Sequence, residues 1–321
     1  MKLLLINPST KGYAEPEFWD YELVKKIFGL HVPPPLSLPT IAALTPPEVE
    51  VKIIDENIED INFDEKVDLV GIGAMTLYIP RAYQIADEFR RRGVMVVLGG
   101  IHATMLPAEA IEHADSVVLG EAEYVWKRLV ADFKNRALQR FYKSDESPDL
   151  ADSPAPRIDL LKNEKYSMNQ LQITRGCPFD CEFCSVKVFS GKNFRHKRIE
   201  QVIQEIAALP KEMVINICGS ELKLPKPIFF TDDNLIGNKN YAKELFKALT
   251  PLKLSGWTSQ ASINLAKDKE LLHLMKEAGC RYILIGLESV AEESLIEMGK
   301  KANRLDEYHE ARKLSLPSVC A

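Results

Sequence analysis

Short aliphatic and β-branched runs recur through the first 135 residues, each followed by a polar or glycine turn and then a helical stretch, and no other feature restricts the fold as much. The runs are Lys2 to Ile6, Val49 to Ile54, Leu69 to Ala74, Val94 to Leu98 and Ser116 to Leu119. Between the third and fourth, Arg81 to Arg92 puts Ala82, Ile85, Ala86 and Phe89 on one helical face, with the arginines largely off it. Strand, helix and strand in that order predict a crossover between parallel neighbours. Five such strands predict an α/β fold: a doubly wound, Rossmann-like parallel sheet with helices on both faces. Ligands of such sheets bind at the carboxyl ends of the strands. Those ends here carry Asn7-Pro8, Asp55-Glu56, Met75-Thr76, Gly99-Gly100-Ile101-His102 and Gly120-Glu121.

From Arg136 to Lys165 the periodicity fades into polar and proline-bearing stretches, Lys143 to Pro148 and Ser153 to Pro156, which predict a linker. Alternation then resumes, with strands at Leu171 to Thr174, Ile228 to Thr231, Gly256 to Ser259 and Tyr282 to Gly286. The helices between them cover Ile199 to Leu209, Tyr241 to Leu249 and Asp268 to Ala278. Met213 to Leu224 reads as an insertion. The expected division is therefore a first domain over 1–135, a linker over 136–165 and a second β/α array over 166–321.

A net charge of −5 gives no electrostatic drive toward nucleic acid or acidic lipid. The apolar run Leu3 to Ile6 meets Asn7-Pro8 too soon to be a signal-peptide core or a membrane span, so a cytoplasmic protein is expected. The six cysteines do not form the framework of a small secreted domain; three of them crowd into eight residues.

Those three follow a strand directly, in Thr174-Arg175-Gly176-Cys177-Pro178-Phe179-Asp180-Cys181-Glu182-Phe183-Cys184. Thiolates are soft ligands that select zinc or iron–sulfur clusters, and a cubane held by three of them leaves one iron open to an outside ligand. A structural zinc site is the alternative. It needs a fourth donor, for which His196, Cys218, Cys280 and Cys320 are the candidates, none at a usual zinc-knuckle distance from a second partner.

The loop resembles the signature of the radical S-adenosylmethionine enzymes, Cys-x-x-x-Cys-x-aromatic-Cys after the first strand of a partial barrel, with Phe183 in the aromatic position. The resemblance implies a 4Fe-4S cluster on Cys177, Cys181 and Cys184, with S-adenosylmethionine on the open iron and its adenine beside Phe183. It also implies S-adenosylmethionine contacts at further strand ends: Asp232 and Asp233 near the methionyl amine, Gln260, and Glu288 at the ribose hydroxyls. An Asp/Asn pair capping the next helix is an equally ordinary reading of Asp232 to Asn234.

The first domain resembles the cobalamin-binding module fused to many of these enzymes, through Pro34 to Thr40, Gly99 to Thr104 and Gly120 to Glu123. By that resemblance Met75, Thr76, Gly99, Gly100, His102, Thr104, Gly120 and Glu121 line a cobalamin site. The strand-end glycines would let backbone amides approach a large ligand. The mutase-type Asp-x-His-x-x-Gly loop is absent, so no histidine is expected below the cobalt. Gly71-Ile72-Gly73 lies inside a strand and lacks the turn of a dinucleotide fingerprint.

Together the resemblances imply an oxygen-sensitive enzyme that cleaves S-adenosylmethionine reductively to a 5′-deoxyadenosyl radical. The expected reaction is cobalamin-dependent methylation of an unactivated carbon in a small molecule, with cyclisation or rearrangement as the alternative. An electron donor such as a flavodoxin or ferredoxin is expected. The family's barrel has six strand–helix units, and here a fifth strand should begin near Leu316 to Ala321. The sequence therefore also admits a non-catalytic cluster-binding chain, or one completed by a second chain.

Overall fold

The computed structural model describes residues 1–9, 33–191, 193–217, 220–308 and 319–320. Two compact units divide the chain: 1–148 with 152–166 and 214–222, and 149–151 with 167–213 and 223–321.

The first unit holds strands β1 (Lys2–Asn7), β2 (Glu50–Asp55), β3 (Leu69–Gly73), β4 (Met95–Gly99), β5 (Ser116–Leu119) and β6 (Phe141–Lys143). All pair in parallel, in the order β2-β1-β3-β4-β5-β6. The order reverses between β1 and β3, so the crevice of this doubly wound sheet opens at their carboxyl ends. The helices are α1 (Ser37–Leu44), α2 (Ile79–Arg91), α3 (Ile101–Met105), α4 (Pro107–Ala110) and α5 (Trp126–Lys134).

Side-chain alternation along the strands splits the core in two. Leu4, Ile6, Val70, Ile72, Val96 and Leu98 pack with the apolar face of α2, including Ala82, Ile85, Ala86 and Phe89. Leu3, Leu5, Leu69, Val97 and Val118 face the other way, onto Leu38 and Ala42 of α1 and Trp126, Leu129 and Val130 of α5. A side chain at Gly71 would bring its Cβ to 2.8 Å from Leu5, so the glycine inside β3 serves packing rather than phosphate binding.

The polar stretch 136–165 was expected to be a linker, but its residues 136–148 and 152–165 belong to this unit. Its β6 pairs with β5, and Tyr142 is fully buried, donating to Asp132 Oδ2 at 2.8 Å. Burial of one aromatic ring, worth about 2 to 3 kcal/mol, outweighs the polarity of the flanking residues. At the end of the stretch Tyr166, also fully buried, donates to Asp55 Oδ2 at 3.0 Å.

The second unit begins with β7 (Asn169–Leu171), β8 (Thr174–Arg175), α6 (Val186–Phe189), β9 (Arg195–His196) and α7 (Ile199–Ala208). The insertion, whose residues 214–222 group with the first unit, is a two-stranded ribbon of β10 (Glu212–Ile217) and β11 (Ser220–Pro225), whose connecting residues Cys218 and Gly219 lie outside the described residues. Next come β12 (Ile228–Phe230), α8 (Lys239–Leu249), β13 (Trp257–Gln260), α9 (Lys269–Glu277), β14 (Cys280–Leu284), α10 (Glu292–Glu297) and β15 (Val319–Cys320).

Strands β7, β12, β13, β14 and β15 form a parallel sheet in chain order, the sequential winding of a β/α barrel wall. On one face Trp257 packs between Phe230 and Phe246 of α8, with ring centroids 5.2 and 5.3 Å away. On the other face Tyr282 and Leu284 stay half exposed. The expected fifth strand begins at β15, pairing Val319 with Ile283 and Cys320 with Leu284.

Candidate metal centre and cofactor site

The cysteine loop leaves the sheet after β7 and is pinned at its root. Thr174 and Arg175 pair antiparallel with His196 and Arg195, and Lys197 N donates to Ile173 O at 2.9 Å. Gly176 takes φ +83°, and a Cβ there would stand 2.5 Å from Asn193 O, so only glycine fits at the turn into Cys177. Lys197 is itself buried, its ammonium 2.6 Å from the Glu205 carboxylate of α7. Burial presses Lys197 below its ordinary range and Glu205 above its own, each opposed by the charge of the other.

Cys177, Cys181 and Cys184 are all half-buried free thiols. Burial pushes the Cys181 thiol up. Lys300 draws it back down, while Cys184, Cys177 and Glu288 add to the rise, so the three thiols are electrostatic neighbours. Among the described residues no three His, Cys, Asp or Glu side chains are closed into a ligand set. Three soft sulfurs on one short loop are nonetheless donors of the kind that suit an iron–sulfur cluster. The candidate fourth donors for zinc are engaged elsewhere or undescribed. His196 stacks on Tyr241 at 3.9 Å, and Cys280 is buried in β14 with its thiol pushed up to about 12 by burial. Cys218, and the Cys320 side chain, lie outside the description.

The strand ends around the loop carry the remaining polar groups. Asp232 is fully buried; its Oδ1 accepts from Ile173 N at 3.0 Å and from Thr174 N, while Oδ2 has no partner. Burial raises its carboxyl to about 7. Asp232 thus clamps the chain entering the loop and does not face outward as a ligand contact. Asp233 Oδ2 accepts from Gly176 N at 3.3 Å. Neither caps α8, whose cap is Asn238 accepting from Tyr241 N.

The polar side chain at this strand end that reaches the thiols is Asn234, which the sequence reading placed only in a cap. Its Nδ2 donates to Cys177 Sγ at 3.8 Å and to Ser262 Oγ at 3.2 Å. Gln260 ends β13 with an exposed side chain, while its carbonyl accepts from Leu235 N at 3.1 Å. Glu288 follows β14 at φ +62°, and its carboxylate is 2.8 Å from Lys300 Nζ. That ammonium also stands 5.5 Å from the centroid of the half-exposed Phe183 ring.

In the first unit the predicted residues gather at the carboxyl ends of β3, β4 and β5. Gly100 takes φ +94°, and a Cβ there would sit 2.7 Å from Ala74 O. Thr104 Oγ1 donates to Gly100 O at 2.8 Å and accepts from Gly120 N at 2.9 Å, tying two strand ends together. His102 is buried, with Nδ1 3.2 Å from Thr76 Oγ1 and Nε2 3.3 Å from Glu109 Oε1. The ring links the turn after β3 to α4 and spends both nitrogens doing so. On the segments that follow these three strands, Met75, Leu77, Met105, Leu106 and Tyr124 are exposed apolar side chains. Gly99 lies at the end of β4, and Glu121 is half-buried beside Gly120. Asp55 and Glu56 look inward: Asp55 binds Asn7, Asn57 and Tyr166, and Glu56 binds Ser9 and Arg81.

Comparison with known proteins matches residues 171–318 to the radical SAM superfamily and residues 31–130 to the B12 binding domain. The chain is 36% identical to a bacteriochlorophyllide d C-8(2)-methyltransferase of Chlorobaculum tepidum, over 85% of this chain and 62% of that protein. It is 31% identical to an uncharacterized methyltransferase of Pyrococcus horikoshii, over 99% of this chain and 73% of the relative. The chain spans 55 to 62% of the length of three of the curated relatives it matches. Among solved structures, the radical S-adenosylmethionine methyltransferase TsrM of Kitasatospora setae superposes with a TM-score of 0.71. The match covers 98% of this chain and 64% of TsrM at 15% identity, a likeness of fold.

Proposed function

Because the chain belongs to the radical SAM superfamily, in the branch that carries a B12 binding domain, we propose that it holds a 4Fe-4S cluster on Cys177, Cys181 and Cys184 and takes part in cobalamin-dependent methylation of a small molecule. When bound, the cluster supplies the electron for reductive cleavage of S-adenosylmethionine, and cobalamin supplies the methyl group. One observation carries the reading: three thiols on a loop rooted at a parallel strand end, with Asn234 against Cys177 and the charges of Glu288 and Lys300, from the segments after β14 and α10, felt at Cys181.

Around that loop Phe183 offers a face for an adenine, and Asn234 offers a polar group for the methionyl end. Glu288 offers a carboxylate for the ribose hydroxyls, with Asp233 and Gln260 flanking. Asp232 supports the site from beneath by holding Ile173 and Thr174. In the first unit the exposed apolar surface of Met75, Leu77, Met105, Leu106 and Tyr124 suits the face of a corrin. Gly99, Gly100, Gly120 and Glu121 border it, and His102, Thr76 and Thr104 hold its floor in shape. Methylation is favoured over cyclisation by the methyltransferases among the relatives. A flavodoxin- or ferredoxin-class donor and a reducing, cytoplasmic setting complete the reading; no described helix is long and apolar enough to cross a membrane.

The test is anaerobic reconstitution with iron and sulfide, followed by electron paramagnetic resonance of the dithionite-reduced chain with and without S-adenosylmethionine. A 4Fe-4S signal that shifts on adding S-adenosylmethionine and vanishes in Cys181→Ala is expected. A chain that binds one zinc and no iron would refute the proposal.

A further inference from the structure

Lys300 was not singled out by any sequence signature, yet the fold fixes it more tightly than most surface lysines. Helix α10 ends in a two-bond left-handed cap: Lys300 N donates to Leu295 O at 2.9 Å and Gly299 N to Ile296 O at 3.0 Å, with Gly299 at φ +64°. The cap is stitched onto the cysteine loop, since Glu182 N donates to Met298 O at 3.0 Å. A Cβ on Gly299 would approach Asp180 O to 3.2 Å. Glu182 and Asp180 flank Cys181 in sequence, so the backbone of Lys300 is referenced directly to that ligand.

The side chain is equally constrained. It is 16% exposed, its ammonium 2.8 Å from Glu288 Oε1 and 5.5 Å from the Phe183 ring centroid, and its charge reaches the Cys181 sulfur. An ammonium held this way acts as a fixed charge, screened less than one free in solvent.

On the reading that these cysteines hold a cluster, we propose that Lys300 is a positioning residue that sets the ease of reducing that cluster. A fixed positive charge stabilises the added electron, and the Glu288 carboxylate partly offsets it. The ring of Phe183 lies against the same ammonium, so the groups that would receive adenine and ribose both adjoin the residue that tunes the iron.

The experiment is a redox titration of the reconstituted full chain followed by electron paramagnetic resonance, with iron content measured in parallel. In Lys300→Met the ratio of reduced to oxidised cluster at a given potential should fall about tenfold, equivalent to a midpoint about 59 mV lower for one electron. Lys300→Arg should keep the midpoint, and Glu288→Gln should move it the opposite way. Packing defects alone would not give opposite signs at the two partners. A Lys300→Met protein with full iron content and an unchanged midpoint overturns the proposal. If that variant assembles no cluster, an unshifted or lowered midpoint in Glu288→Gln overturns it instead. A wild-type chain without a cluster overturns the underlying cluster assignment as well, which separates the two failures.

Discussion

Asp232→Asn gives a stability change whose sign and pH window follow from the structure. In the folded chain Asp232 is fully buried, Oδ2 is unpartnered, and burial lifts the carboxyl from 3.8 to about 7. Between about pH 4 and pH 7 the folded state therefore holds a proton that the unfolded chain has lost. Stability from this group is fully present below pH 4 and declines as pH rises, until it is gone above about 7. Roughly three pH units at about 1.4 kcal/mol each give about 4 kcal/mol for the whole change. Asn keeps the Oδ1 acceptor for Ile173 N and Thr174 N and cannot ionise. Its stability relative to wild type should improve by about that amount between pH 4 and pH 8. Asp233 carries a like charge that adds to the effect. The Lys197 ammonium is occupied by Glu205, which limits how far it can compensate. Anaerobic urea unfolding of the cluster-free full chain across this range, following the transition of the second unit, measures the difference. A gap between variant and wild type that stays constant from pH 5 to pH 8 would show that Asp232 is ionised throughout and that the burial argument is wrong.

Lys197→Met should cost about 3 to 5 kcal/mol, because it leaves the Glu205 carboxylate buried and unpaired; Lys197→Met with Glu205→Leu should recover most of it. Urea midpoints of the two variants check this, and equal losses would refute it. Gly100→Ala forces a Cβ to 2.7 Å from Ala74 O at φ +94°, at a cost of about 2 kcal/mol. It should lower the melting temperature of the first unit and weaken cobalamin uptake measured by absorbance, whereas an unchanged melting temperature would contradict the geometry.

Much of this protein was decided locally, and so was legible in its sequence. Strands β1 to β5 were written as short apolar runs, because a strand covered by helices needs little else. The crossover helices declared themselves through one apolar face, as in Arg81 to Arg92, and structure begins α2 only two residues earlier, at Ile79. The cysteine loop was legible because its chemistry lies within eight consecutive residues.

What only tertiary structure decided involves groups far apart in the chain. A three-residue strand in a polar stretch became β6 because the edge of β5 and a pocket for Tyr142 were waiting for it. Asp232, expected near the methionyl amine, and Asn234, expected in a helix cap, are two residues apart and took other positions. Strand-end geometry turned one into the core against Thr174 and brought the other to Cys177 and Ser262. Lys300 carried no signature, since its meaning depends on a helix cap that binds the backbone between Cys181 and Phe183, more than a hundred residues earlier. Periodicity and spacing report on neighbours along the chain. Burial, charge pairing and the aim of a side chain depend on neighbours in space, which exist only once the sheets have formed.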